Sequence, residues 1–253
     1  MLQVDKVSCG YGNGDVVKGV SFALSCGEIL CVTGPNGCGK TTLLRAVCGI
    51  LPYSGTVKLL GGDIRRMKRG DIARKAALFS QTGSVYFPYT VYETVLMGRY
   101  LHMKKGFFPV HSAEDARFAL ECIERVGLSD CLNRNITELS GGQYQRTMIA
   151  RVFAQEPSII VLDEPTNHLD IRYQIETIEH IKAWAREGER AVLAVFHDIN
   201  LTMTVADRVL LMDEGEIVQD GGAKEVLGGS VIDGVYGMDI GEYMRNTLAL
   251  WSE

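Results

Sequence analysis

The chain has little of what an extracellular, fibrous or membrane-spanning protein requires. Among its 253 residues are 6 prolines and 2 tryptophans, and no internal repeat or low-complexity linker interrupts them. No apolar run approaches the ~20 residues that cross a bilayer as a helix. The start, Met1-Leu2-Gln3-Val4-Asp5-Lys6, lacks the basic-then-apolar order of a secretory signal. Seven cysteines, scattered at positions 9, 26, 31, 38, 48, 122 and 131 without a Cys-x-x-Cys pair, suggest neither a disulfide framework nor a zinc site, so the chain is expected to keep reduced thiols in the cytoplasm. There is no excess of positive charge. With 26 Lys and Arg against 31 Asp and Glu the net charge is −5, which argues against a nucleic-acid partner, because that binding rests on cations neutralising phosphates. What remains is an ordinary composition, 46% hydrophobic, and a length suited to one large domain or one domain with an insertion.

Short apolar runs alternate with stretches of helical period. Glu28 to Thr33 reads as a buried strand running into a glycine-rich loop and then a helix over Thr41 to Val47. Ile159 to Leu162 and Ala191 to Phe196 read as further core strands. Runs that are apolar throughout suit strands covered on both faces, hence a parallel α/β sheet. Between the last two lies a helix with Ile171, Ile175, Ile178 and Ile181 on one stripe. Thr56 to Gly62 reads as strand material, as does the pair Arg208–Asp213 and Glu216–Gln219 around Glu214-Gly215, a hairpin signal. Residues 90 to 156 look mostly helical, with a Ser-x-x-Asp start at Ser112. A helical block between two parts of one parallel sheet reads as an inserted subdomain.

Gly34-Pro35-Asn36-Gly37-Cys38-Gly39-Lys40-Thr41 fits Gly-x-x-x-x-Gly-Lys-Ser/Thr in its required setting, strand before and helix after. Its glycines let successive backbone N–H groups face phosphate oxygens, and the helix start adds its positive dipole end. Lys40 reaches β- and γ-phosphates, Thr41 offers a hydroxyl to Mg²⁺, and Thr42 bonds a phosphate oxygen. Downstream, Leu139-Ser140-Gly141-Gly142-Gln143 opens a second helix. That is a second place for an anion at a helix N-terminus, or simply an N-cap with a glycine turn. The strand Ile159 to Leu162 then ends in Asp163-Glu164-Pro165. One carboxylate at a strand end beside the phosphate loop can hold Mg²⁺ through water, and its neighbour can polarise an attacking water.

Taken together these residues resemble the ATP-binding subunit of ABC transporters over essentially the whole chain. Walker A is Gly34 to Thr41, the signature is Leu139 to Gln143, and Walker B is Ile159 to Asp163 followed by Glu164. An aromatic A-loop matches at Tyr11, a Q-loop glutamine at Gln81, a D-loop at His168-Leu169-Asp170, and a switch histidine at His197. The resemblance implies a P-loop NTPase core with a mostly parallel sheet, an N-terminal antiparallel β subdomain and an inserted helical subdomain. The nucleotide-binding core would span 1–86 and 157–222, the helical part 87–156, and a tail of unassigned role 223–253. It further implies a head-to-tail homodimer, each ATP held between one Walker A and the other subunit's signature. Glu164 would be general base, His197 would contact the γ-phosphate and attacking water, and Gln81 would sense Mg²⁺ and water. Asp170 would cross the dimer interface and Tyr11 would stack on adenine.

The stretch Phe87 to Tyr100, Phe-Pro-Tyr-Thr-Val-Tyr-Glu-Thr-Val-Leu-Met-Gly-Arg-Tyr, and Asp163 to Ile171 look like the iron-siderophore, haem and cobalamin uptake branch. Manganese and zinc importers share part of the first stretch, and the ATPase of an iron–sulfur assembly scaffold fits the length. The span from Lys40 to Leu139 is too short for the coiled coil of an SMC-type protein, and translation-type cassettes usually come two per chain. An importer subunit implies a peripheral place on the cytoplasmic membrane face. Its partners would be a polytopic permease, docked by a short helix in a groove beside Gln81, and indirectly a periplasmic or lipoprotein substrate-binding protein. His102, His111, His180 and the basic run Arg65-Arg66-Met67-Lys68-Arg69 are expected to be surface.

Overall fold

The computed structural model describes residues 1–12, 14–80, 88–103, 110–167 and 169–250. Two strands of alternating burial open the chain, β1 (Leu2–Cys9) and β2 (Val17–Leu24). They are followed by the wholly buried β3 (Ile29–Thr33), helix α1 (Lys40–Val47), β4 (Ser54–Leu59) and the two-residue β5 (Gly62–Asp63). Helix α2 (Arg69–Lys75) leads into β6 (Ala76–Ser80), and then come α3 (Val91–Leu96), α4 (Ala113–Arg125) and α5 (Gly141–Ala154). Strand and helix alternate through β7 (Ile159–Asp163), α6 (Ile171–Ala185), β8 (Ala191–Val195), α7 (Ile199–Val205) and β9 (Arg208–Asp213). The chain finishes with β10 (Glu216–Gly222), α8 (Ala223–Leu227), α9 (Ser230–Tyr236) and α10 (Ile240–Ala249).

The strands form two sheets. One is antiparallel in the order β2-β1-β4-β5; the other runs β10-β9-β3-β8-β7-β6 and is parallel except for β10. The expected α/β core with an antiparallel β part is therefore present. The β9–β10 hairpin turns on Glu214 and Gly215, both at positive φ (45° and 89°), the backbone a two-residue hairpin needs to match strand twist. In the parallel sheet, successive residues of one strand feed two different cores. Ile29, Ile160, Leu162, Val192 and Ala194 pack with the helices α3 to α6, whereas Leu30, Val32, Ile159, Val161 and Leu193 pack with α1 and the antiparallel sheet.

Helices α3, α4 and α5 each begin with the same reciprocal cap. The hydroxyls of Thr90, Ser112 and Ser140 accept from the backbone of Glu93, Asp115 and Gln143, whose side chains accept from the capping backbone in return. The Ser-x-x-Asp signal at Ser112 is borne out. Arg99, which sequence reading left as one letter of a stretch, is buried where these helices meet. It donates to Asp115 Oδ1 (3.0 Å), to the Ala154 carbonyl (2.9 Å) and to Glu156, and lies over the Phe118 ring. Burial opposes ionisation of Asp115, but the Ser112 backbone and hydroxyl and Arg99 outweigh it and bring its carboxyl down to about 2.

Two expectations need correction. Ile171 and Ile175 are 75% and 53% exposed, and the buried stripe of α6 begins only at Thr177 and Ile178, running through Ile181, Trp184 and Ala185. The first turns of α6 lean on the start of α5 through Tyr173 instead. His111 and His180 are half-buried rather than superficial, and burial together with Arg146 pushes the His180 imidazole below the usual range. Arg65, Arg66, Lys68 and Arg69 are exposed as expected.

Candidate functional site

The carboxyl ends of β3, β7 and β8 deliver the loop at 34–39, the pair Asp163-Glu164, and His197 to one place. The site thus sits outside the carboxyl edge of a parallel sheet, where open α/β folds bind ligands. There an open cleft of about 360 Å³ has Asn36, Gly37, Lys40, Thr41, Glu164 and His197 on its wall, with Gly39 and Thr42.

The loop's backbone is possible because of its glycines. Gly34 has φ 148° and its α-carbon abuts β9: an added Cβ would lie 2.0 Å from the Met212 carbonyl oxygen. Gly39, at φ 106°, is the left-handed N-cap of α1, and no side chain caps that helix. Its first-turn N–H groups are therefore left to whatever occupies the cleft. Lys40 is buried, its Nζ donating to the carbonyls of Gly34 (2.7 Å) and Pro35 (2.8 Å). The ammonium spans the loop where a phosphate chain would run.

Thr41 Oγ1 donates to Asp163 Oδ1 at 3.0 Å, bringing two hard oxygen donors together across the β7 end and the α1 start. Burial pushes the Asp163 carboxyl up, and Glu164 beside it adds to this against the Thr41 hydrogen bond. Next to it, Glu164 is held at φ 55°, a left-handed backbone costly for a glutamate. Its N–H donates to the Val195 carbonyl (3.1 Å), and its carboxylate is met by His197 Nε2 and Asn167 Nδ2. The glutamate is thus fixed between two strand ends and aimed at the histidine, the arrangement of a positioned proton acceptor.

Cys38 turns its side chain inward, its Sγ accepting from Lys40 Nζ at 3.9 Å. Its side chain is buried among the apolar residues beneath the loop, and burial pushes the thiol up, against the lowering influence of Lys40. Maleimide at neutral pH is expected to label the exposed Cys26 rapidly and Cys38 only on unfolding, which peptide mapping of the labelled protein reads directly. Fast labelling of Cys38 in the native protein would show its side chain placed wrongly.

Other expected site residues lie off this wall. Tyr11 is 57% exposed and accepts at its hydroxyl from Arg45 Nη1 (3.0 Å) on α1. Ser140 and Gly141 are exposed at the start of α5, the Ser140 hydroxyl accepting from the Gln143 backbone at 3.3 Å. Gly142 is buried beneath Tyr173, and the Gln143 side chain returns to the Ser140 backbone at 3.1 Å. Asp170 is the N-cap of α6, accepting from the Tyr173 backbone at 3.2 Å. Gln81 and His168 lie outside the described residues. Sequence reading missed Asn167, which steadies Glu164, and Gln145, whose Nε2 donates to the Pro165 carbonyl and ties α5 to the loop that carries Glu164.

Among the described residues no group of three or more His, Cys, Asp or Glu could hold a metal, and no helix is long and apolar enough to cross a membrane. The family model described as ABC transporter matches residues 17–167. The chain is 36% identical over 247 residues to a hemin import ATP-binding protein of Jannaschia sp. (strain CCS1), covering 94% of this chain and 87% of that one. It is 34% identical over 238 residues to the ferric enterobactin transport ATP-binding protein of Escherichia coli (strain K12), with the same coverage. Among solved structures, a dimeric ATP-binding cassette in a post-hydrolysis state, bound to ADP and Pi, superposes with a TM-score of 0.77 at 26% identity, over 88% of this chain and 99% of that one.

Proposed function

The chain belongs to the ABC transporter family as an ATP-binding, ATP-hydrolysing subunit, and from that premise we propose that it drives an importer of iron-siderophore, haem or cobalamin-type complexes. The observation that carries this reading is the likeness to hemin and ferric enterobactin proteins, which extends over 94% of the chain, beyond the residues 17–167 that the family model covers.

In this reading the triphosphate lies along the first turn of α1, and Lys40 exchanges the Gly34 and Pro35 carbonyls for phosphate oxygens. The neighbouring loop residues Asn36 to Gly39 present their backbone, and Thr42 bonds a phosphate oxygen. Thr41 and Asp163 form a set of hard oxygens suited to Mg²⁺, which takes few protein ligands beside waters and phosphates, Asp163 acting through water. Bound there, the ion supplies charge neutralisation of the phosphates. Glu164 accepts the proton of the attacking water, His197 orients that water against the γ-phosphate, and Gln81 senses both. Tyr11 offers its exposed ring to adenine, where stacking contributes roughly 1–3 kcal/mol by analogy with bases on aromatics.

Ser140 to Gln143, off the wall of the cleft in their own subunit, close the γ-phosphate of a second copy, and Asp170 crosses that interface. Two helix starts facing one γ-phosphate form a clamp that hydrolysis loosens. A groove of about 340 Å³, lined by Ile50, Ile72, Ala73, Leu78 and Gln155 among others, opens beside β6. We assign it to the permease's cytoplasmic helix, and in this reading the subunit is peripheral on the cytoplasmic membrane face.

The test is reconstitution. With its permease in liposomes, ATP hydrolysis by this subunit should rise when the cognate binding protein arrives loaded with a ferric chelate, haem or a cobalamin. Repeated recovery of soluble iron–sulfur scaffold proteins, and no permease, from pull-downs of the tagged chain would end the importer reading.

A further inference from the structure

Tyr173 is a large ring that joins neither apolar core. It lies two residues beyond the exposed Ile171, about half a turn around α6, and so points away from the isoleucine side toward α5. There it meets a bare α-carbon: a Cβ added to Gly142 would lie 2.7 Å from Tyr173 Cδ2 and 3.0 Å from its Cγ. One turn further along α5, the Arg146 guanidinium sits 5.0 Å from the ring centroid. Arg146 is itself anchored, donating to the Val126 carbonyl at 3.1 Å with Glu176 at 3.8 Å. At its other end Tyr173 donates its backbone N–H to Asp170 Oδ1 at 3.2 Å.

We propose that Tyr173 is a positioning residue: its ring sets the separation between the Ser140–Gln143 turn and the Asp170 turn, so that both meet a second copy as one rigid edge. The inference rests on the head-to-tail reading above. One residue is tied to both segments which that reading sends across the interface, by its backbone to Asp170 and by its ring to Gly142. An aromatic ring packed against glycine and under a guanidinium is a stiff contact; the ring has no room to move toward α5, and Arg146 lies over it. Without the ring the two turns remain folded, each by its own cap, but lose their common spacing. Because Tyr173 does not line the cleft, its loss should spare nucleotide binding to the single subunit and weaken only what two subunits do together.

The experiment compares Tyr173→Ala, Tyr173→Phe and Tyr173→Leu, the last retaining bulk without a flat face should the alanine variant fold poorly. In the wild-type background, fluorescent ATP binding to the monomer should stay within about twofold for all three. The kcat of the alanine and leucine variants should fall by at least about tenfold, and their Hill coefficient should fall toward one, with phenylalanine close to wild type. In the Glu164→Gln background, ATP should give a dimer by size exclusion with Tyr173 or Phe, and a monomer with Ala or Leu. An alanine or leucine variant with unaltered kcat and dimer overturns the positioning role alone, as does a phenylalanine variant as impaired as alanine. A Glu164→Gln protein that stays monomeric in ATP overturns the dimer reading, and the positioning role with it.

Discussion

Glu164→Gln is expected to bind ATP normally while its turnover falls by at least about 100-fold, the range for a lost general base. The substitution keeps shape and size, so the left-handed backbone at φ 55° and the N–H to the Val195 carbonyl are retained. The amide oxygen can still accept from Asn167, while the amide nitrogen can donate to His197 once that ring presents a bare Nε2. What is lost is an acceptor basic enough to take a proton from water. Since the γ-phosphate then persists, the clamp it holds should persist too. Steady-state phosphate release and size exclusion in Mg-ATP read both halves of the expectation, and hydrolysis at the normal rate would remove Glu164 as the base.

The other large effect is expected at Gly34→Ala, which should abolish ATP binding and lower the melting temperature. The new methyl would lie 2.0 Å from the Met212 carbonyl oxygen and 3.0 Å from Cys38 Sγ. Met212 belongs to β9, hydrogen-bonded on both sides in the sheet and fully buried, so its carbonyl has nowhere to go. The loop must move instead, and with it the carbonyls that hold Lys40. Overpacking against a backbone at an unfavourable φ costs roughly 3 kcal/mol, a fall of about 10 °C for a chain of this size. Gly37→Ala is the control: its φ of 85° is also strained for alanine, but nothing lies within 4 Å of the added atom. Thermal melts and ATP titration of the pair separate crowding from backbone strain. A Gly34→Ala protein with native melting and affinity would show that the loop does not press on β9.

The phosphate loop was legible because its glycines, lysine and threonine are local requirements, met within eight consecutive letters. The all-apolar strands Ile159 to Leu162 and Ala191 to Phe196 were legible because burial on both faces writes itself as an unbroken run. β6 escaped notice because it is an edge strand with one neighbour, alternately covered, whose five residues hold two alanines and a serine. The isoleucine stripe of α6 misled for a different reason. Periodicity reports which residues share a face, but the partner of that face is a tertiary fact, and here the first turns rest on α5 through the opposite side. The inward turn of the Cys38 side chain and the positive φ of Glu164 likewise depend on chain segments far away in sequence.

The two cores that share strands β3, β7 and β8 have a consequence for how this molecule comes apart. Because neighbouring residues of one strand are committed to opposite sides, peeling away either layer strips half the apolar contacts of the strands beneath it. The sheet then has no inexpensive partial opening, and its amides should exchange with solvent only when the whole chain melts, in a single cooperative step. Helix α10, which buries only Ile240 fully, should exchange long before.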